Sequence, residues 1–143
     1  MQNREVYDRI AVSTVSVAER SGLRPRILLV EDEQIIRDAL VPILFSAGYD
    51  CREAADGRAA IDLLNSGVKI NLILSNVFLP EVNGWELFLH CRQHYPHIPF
   101  VFVTALKDAS LSRAAIREGA AGYLRKPFER DKLIAIVRNV FGD

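Results

Sequence analysis

The chain has 143 residues, half of them hydrophobic, which is enough for one domain with a real core. Eighteen basic side chains balance eighteen acidic ones, so the formal net charge is zero. That balance argues against a broad electrostatic grip on nucleic acid or on an anionic membrane. Cys51 and Cys91 stand in no metal-ligand spacing, so reduced, buried thiols are expected. No apolar run approaches the length of a membrane span. The first residues carry Arg4, Glu5, Asp8 and Arg9 and no signal-peptide apolar stretch. The expectation is a cytoplasmic protein without direct contact to nucleic acid or membrane.

Residues 1–24 differ from the rest. Val6 and Ile10 keep helical spacing, whereas Val15 and Val17 alternate as in a strand. This stretch reads as an N-terminal extension, weakly ordered or partly helical, and Pro25 marks its boundary. From there to residue 143 apolar runs and amphipathic stretches alternate. "RILLV" at 26–30 is a strand. Ile36, Leu40, Ile43, Leu44 and Ala47 form the stripe of a helix over 33–47, stopped by Gly48, with Pro42 expected to kink or weaken it. Residues 49–54 are a second strand. Residues 56–67 are a helix with Asp56 as N-cap and Gly67 as its stop. A third strand covers 71–76, and a helix runs from about Gly84 to Tyr95.

"IPFVFVTA" at 98–105 is almost continuously apolar, which implies a strand buried on both faces. A helix over 108–119, capped by Asp108 and closed by Gly119, precedes a short fifth strand at 121–124. The last helix, 129–141, turns Leu133, Ile134, Ile136, Val137, Val140 and Phe141 inward. Five strands alternating with five helices predict an α/β fold, a doubly wound parallel sheet with helices on both faces.

In such sheets the chemistry gathers at the carboxyl ends of the strands. Glu31-Asp32-Glu33 follows strand one, Asn76 ends strand three, Thr104-Ala105 ends strand four, and Lys126-Pro127 follows strand five. Acids with other oxygen donors suit Mg²⁺. A lysine and a hydroxyl suit the oxygens of a phosphoryl group. Each piece also has a bland reading. Acids after a strand often serve a helix N-terminus, and an asparagine there is usually a turn former. His90 and His94 sit four apart with His97 nearby, a spacing that can hold zinc. A solvated helix face is the better reading, because no carboxylate or cysteine is placed to complete a site. Trp85 reads as a packed aromatic, and Leu89 and Leu106 as surface residues.

Taken in order, "LLVEDE", "NLILSNVFLPEVNG", "VTA" and "KP" resemble the receiver domain of bacterial two-component response regulators, the CheY-like domains. The resemblance covers residues 25–143. It implies a flavodoxin-like sheet of order 2-1-3-4-5 and a role in phosphorelay signal transduction rather than enzyme activity. By position it makes Glu31 and Asp32 the Mg²⁺ acids, with Asn76 and the Phe78 carbonyl completing the metal shell. Thr104, Lys126 and Tyr123 match the phosphoryl-contact and switch residues, and the Lys126-Pro127 bond is expected to be cis.

The family carries aspartate at the phospho-acceptor position, and this chain has Asn76. A carboxylate oxygen attacks phosphorus; a neutral amide is a far poorer nucleophile. The chain therefore reads as a receiver not phosphorylatable in this form, degenerate or mutated at its acceptor. An asparagine native to the chain and one introduced to lock an ordinary receiver both account for that. Mg²⁺ binding is expected to be weak or absent. The implied partners are a sensor histidine kinase or phosphotransfer protein, or a downstream effector, met through the fourth helix, fifth strand and fifth helix. A monomer or weak homodimer is expected. The alternative is a small Mg²⁺-dependent phospho-aspartyl phosphatase using Asp32. A third reading is a piece cut from a longer regulator with an output domain.

Overall fold

Alternation along β1 (Arg26–Val30) sets up the architecture. Successive strand side chains point to opposite faces of a sheet. Ile27 and Leu29 enter one core, and Leu28 and Val30 enter the other. All four are at most 2% exposed, so this strand lies at the centre of the molecule. The computed structural model describes residues 24–105 and 109–142. The expectation of an extension over 1–24 therefore falls, Arg24 apart, outside the described residues.

The elements follow as α1 (Gln34–Ser46), β2 (Asp50–Ala54), α2 (Gly57–Asn65), β3 (Leu72–Ser75) and α3 (Gly84–His94). Then come β4 (Phe100–Thr104), α4 (Ala109–Arg117), β5 (Gly122–Arg125) and α5 (Arg130–Phe141). The five strands form one parallel sheet in the order β2-β1-β3-β4-β5, as expected. Helix boundaries fall within two residues of those read from the apolar spacing. The Asp108 cap lies outside the described residues.

One core contains Leu40 and Leu44 of α1 and Leu133 and Val137 of α5. The other contains Ile61 and Leu64 of α2, Leu87 and Phe88 of α3, and Ala115 of α4. The expected inward face of α5 is only partly realised: Leu133 and Val137 are buried, whereas Ile134, Ile136, Val140 and Phe141 are half-buried. A helix lying on a sheet buries a narrow stripe and leaves its flanking positions at the rim. Helix α1 continues through Pro42, whose side chain is exposed.

Local signals place the helix starts. Asp56 accepts a hydrogen bond from the Ala59 N–H at 2.7 Å. Asn83 accepts from the Glu86 N–H at 2.9 Å, and Glu86 accepts back from the Asn83 N–H at 3.1 Å. This capping box satisfies two donors that a helix start leaves open. Cys91 is buried and Cys51 half-buried, both as free thiols. Burial pushes each thiol up to about 12, so the thiolate is scarce at neutral pH.

Candidate functional site at the carboxyl edge of the sheet

Register brings the sequence-selected positions to one edge. Val30 pairs with Ser75, so Glu31 and Asn76 leave neighbouring strands side by side. The Asn76 N–H donates to the Val30 carbonyl at 3.1 Å. Thr104 pairs with Arg125, and the Lys126 N–H donates to the Thr104 carbonyl at 2.8 Å. Parallel pairing thus collects residues 31, 76, 104 and 126 from across 96 positions of sequence.

At this edge the lysine meets an acid. Lys126 Nζ donates to Glu31 Oε1 at 2.9 Å. Glu31 is only 3% exposed, and its other oxygen accepts from the Glu33 N–H at 3.0 Å. A buried carboxylate needs such partners, because an unpaired one carries a desolvation penalty of several kcal/mol. Asp32, the next residue, is exposed. Asn76 is half-buried, and Thr104 is 3% exposed.

Gly84 lets this edge close. A Cβ built there would stand 1.9 Å from the Asn76 carbonyl oxygen. The Gly84 N–H instead donates to the Val77 carbonyl at 2.7 Å. Phe78, in the loop between β3 and α3, is 67% exposed. The Lys126-Pro127 bond is cis, as expected. Leu106 lies outside the described residues.

Aromatic packing runs away from the edge. Trp85 stacks on Phe102 at 5.8 Å between ring centroids, and Phe102 lies 6.3 Å from the Tyr123 ring. Trp85 is therefore a half-buried, packed aromatic, as its default reading had it. Tyr123 is half-buried on the edge strand β5. A cleft of 570 Å³ opens beside it, with Arg125, Phe128, Lys132 and Ile136 among its walls.

His90 and His94 pack ring to ring on α3 at 4.5 Å. Desolvation lowers the His90 pKa below its ordinary value, and the His94 and Arg58 charges lower it further. Among the described residues, no three His, Cys, Asp or Glu side chains cluster to hold a metal. The edge itself offers two carboxylates, Glu31 and Asp32, with an amide at 76. In kind these oxygens suit a hard cation. Their charge is less than three carboxylates would give, and one of them already holds an ammonium.

Arg37 was not singled out by the motif reading. It is 9% exposed and donates from Nη1 to the Glu31 carbonyl oxygen at 2.5 Å. The signal was there: Arg37, Leu40 and Leu44 are the buried residues of α1, so a charge sits on that helix's apolar stripe.

Among the described residues, no helix is long and apolar enough to cross a membrane. The model of the response regulator receiver domain family matches residues 27–138. The transcriptional regulatory protein CrdR of Helicobacter pylori is 34% identical over 122 residues, 85% of this chain and 57% of that one. The response regulator protein FleR of Pseudomonas aeruginosa is 35% identical over 112 residues, 78% of this chain and 24% of that one. This chain thus spans little more than half of one relative and a quarter of the other. The chemotaxis protein CheY4 of Vibrio cholerae superposes with a TM-score of 0.75 at 28% identity, covering 82% of this chain and 98% of that one. None of these likenesses supports the phosphatase alternative built on Asp32. With the family pattern matched across residues 27–138 and the same sheet order, the chain belongs to the response regulator receiver domain family.

Proposed function

We propose that this receiver signals by docking a protein partner and takes no phosphoryl group at position 76 in this form. The observation that carries the reading is Asn76 just past β3, next to Glu31, whose carboxylate holds Lys126. A phosphoryl acceptor needs a carboxylate oxygen to attack phosphorus, and an amide lacks that nucleophilicity. Lys126 then has no charge at 76 to meet, and its ion pair with Glu31 compensates the buried acid instead. In the restored Asn76→Asp form, Lys126 and Thr104 would contact the phosphoryl oxygens.

Glu31, Asp32, the Asn76 amide oxygen and the Phe78 carbonyl would hold Mg²⁺, weakly. The cation would supply positive charge for phosphoryl oxygens when bound. The docking face is α4, β5 and α5, supported by the cleft beside Tyr123 and by exposed Arg113, Arg117 and Arg125. The relatives' names, a transcriptional regulator and a response regulator, support a place in two-component signalling. A histidine kinase, a phosphotransfer protein or an effector would be the partner.

The test is intact mass after incubation with acetyl phosphate and Mg²⁺. The protein should gain no phosphoryl adduct, whereas Asn76→Asp should gain one. A Mg²⁺-dependent adduct on the unaltered protein would end this reading.

A further inference from the structure

We propose that Arg37 is a positioning residue for the carboxyl-edge pocket: it fixes the Glu31 peptide, and so the place where the Glu31 carboxylate meets Lys126. The guanidinium uses three directions at once. Nη1 donates to the Glu31 carbonyl oxygen at 2.5 Å, Nε to Glu53 Oε1 at 3.0 Å, and Nη2 to Gln34 Oε1 at 2.9 Å. A planar fork holds such acceptors in fixed relation, which a lysine ammonium does not. One of the three partners belongs to the pocket. The other two, Gln34 at the start of α1 and Glu53 on the edge strand β2, are exposed anchors.

Glu31 is held on every side. Its N–H donates to the Ala54 carbonyl at 3.0 Å, its carbonyl takes Arg37, and its carboxylate takes Lys126 and the Glu33 N–H. Of these restraints, only Arg37 ties the peptide that follows Glu31. Without it the carbonyl is an orphan acceptor in a buried place, and the turn from 31 to 33 gains freedom to rotate. The carboxylate and its bond to the Glu33 N–H would shift with that turn. Arg37 and Lys126 hold different parts of Glu31, its carbonyl and its carboxylate, so Arg37 acts through Glu31.

Residue-resolved amide hydrogen exchange tests the inference, with Glu33 as reporter. In Arg37→Met, Glu33 protection should fall at least tenfold, while Leu28 and Leu74 in the central strands keep theirs. A global loss of stability would move the strand amides as well. Unchanged Glu33 protection, or a fall matched by the strands, would overturn the inference. Glu53 supplies a second pair of variants on an exposed side chain that leaves the core intact. Glu53→Ala should lower Glu33 protection severalfold, and Glu53→Gln should restore most of it, because its oxygen still accepts from Nε. Should Arg37→Met fail to fold, this pair decides: Glu33 protection unmoved by Glu53→Ala overturns the inference.

A functional arm uses the restored acceptor. Adding Arg37→Met to Asn76→Asp should slow phosphorylation by acetyl phosphate about tenfold while thermal unfolding stays cooperative; an unchanged rate would overturn the pocket role of Arg37. This arm rests on the acceptor reading of position 76. If Asn76→Asp alone takes no phosphoryl group, that reading fails, and the exchange measurements still decide the role of Arg37.

Discussion

Position 76 decides how much charge the carboxyl edge carries. An aspartate there would add a third carboxylate beside Glu31 and Asp32. Two unit charges about 4 Å apart repel by roughly 4 kcal/mol at an effective dielectric near 20. Lys126, solvent and relaxation offset most of that, leaving a net strain on the order of 1 kcal/mol. The unaltered protein should therefore melt above Asn76→Asp in EDTA. Millimolar Mg²⁺ should close or reverse the gap, since a ligand stabilises the native state more the tighter it binds. Thermal melts of both proteins under both conditions check this. A higher melting point for Asn76→Asp in EDTA, or an equal rise in both with Mg²⁺, contradicts a shared pocket. Phe78 makes a second case at this scale. It is 67% exposed and two residues past Asn76. In Asn76→Asp, replacing Phe78 by serine should speed loss of the phosphoryl group by admitting water. A lifetime unmoved by Phe78→Ser removes that role.

Helix α3 illustrates the element scale, because its two ends are fixed by different means. Its start is held by the reciprocal Asn83–Glu86 capping box and by Gly84 pressed on the Asn76 carbonyl. The loop before it abuts α2, where a Cβ on Gly57 would stand 1.9 Å from the Val82 carbonyl oxygen. The far end is tied to the end of α4 by an Arg92–Glu118 ion pair, and to α2 by Tyr95 donating to Asn65 at 2.5 Å. Asn83→Ala should cost about 1 kcal/mol, the usual worth of an N-cap. Chemical denaturation should show that loss with an unchanged slope. A loss under about 0.3 kcal/mol would mean that packing alone sets the helix start. The His90–His94 pair gives this helix a pH response as well. Burial disfavours charge on His90, so the unfolded chain binds its proton first as pH drops. The stability contribution is complete above pH 6.5 and falls as pH descends toward the lowered folded value.

For the whole molecule, two features occupy different parts of the sheet. Its carboxyl edge holds the Glu31–Lys126 pair, and its β5 side presents the cleft beside Tyr123. Aromatic rings run from Trp85 at the start of α3 through Phe102 to Tyr123. If α4, β5 and α5 form the docking face, Tyr123→Ala and Arg113→Glu should each weaken a recovered partner's binding about tenfold or more. Arg52→Ala, on the opposite edge strand β2, should leave it within twofold. Titration calorimetry on the three variants separates these outcomes, and equal losses at both edges would refute the assignment.

Periodicity in the sequence determined most of this architecture. Strands buried on both faces have to be nearly continuous in apolar residues, so "RILLV" and "FVFVT" declared themselves. Gly48, Gly67 and Gly119 adopt positive φ just past their helices, so those stops were legible too. The edge residues Glu31, Asn76, Thr104 and Lys126 could be grouped from the ends of strands, because parallel topology sends those ends to one side. What Lys126 meets there was not legible. Its partner is 95 residues away, and which acid it takes depends on burial and reach. The place of Arg37 on an apolar stripe was legible but its role was not: a charge there makes sense only once the folded chain supplies the Glu31 carbonyl, Glu53 and Gln34 as its acceptors. Local chemistry chooses elements because neighbours in sequence share one backbone. Only tertiary structure decides which buried charges meet, because that depends on distances the chain acquires on folding.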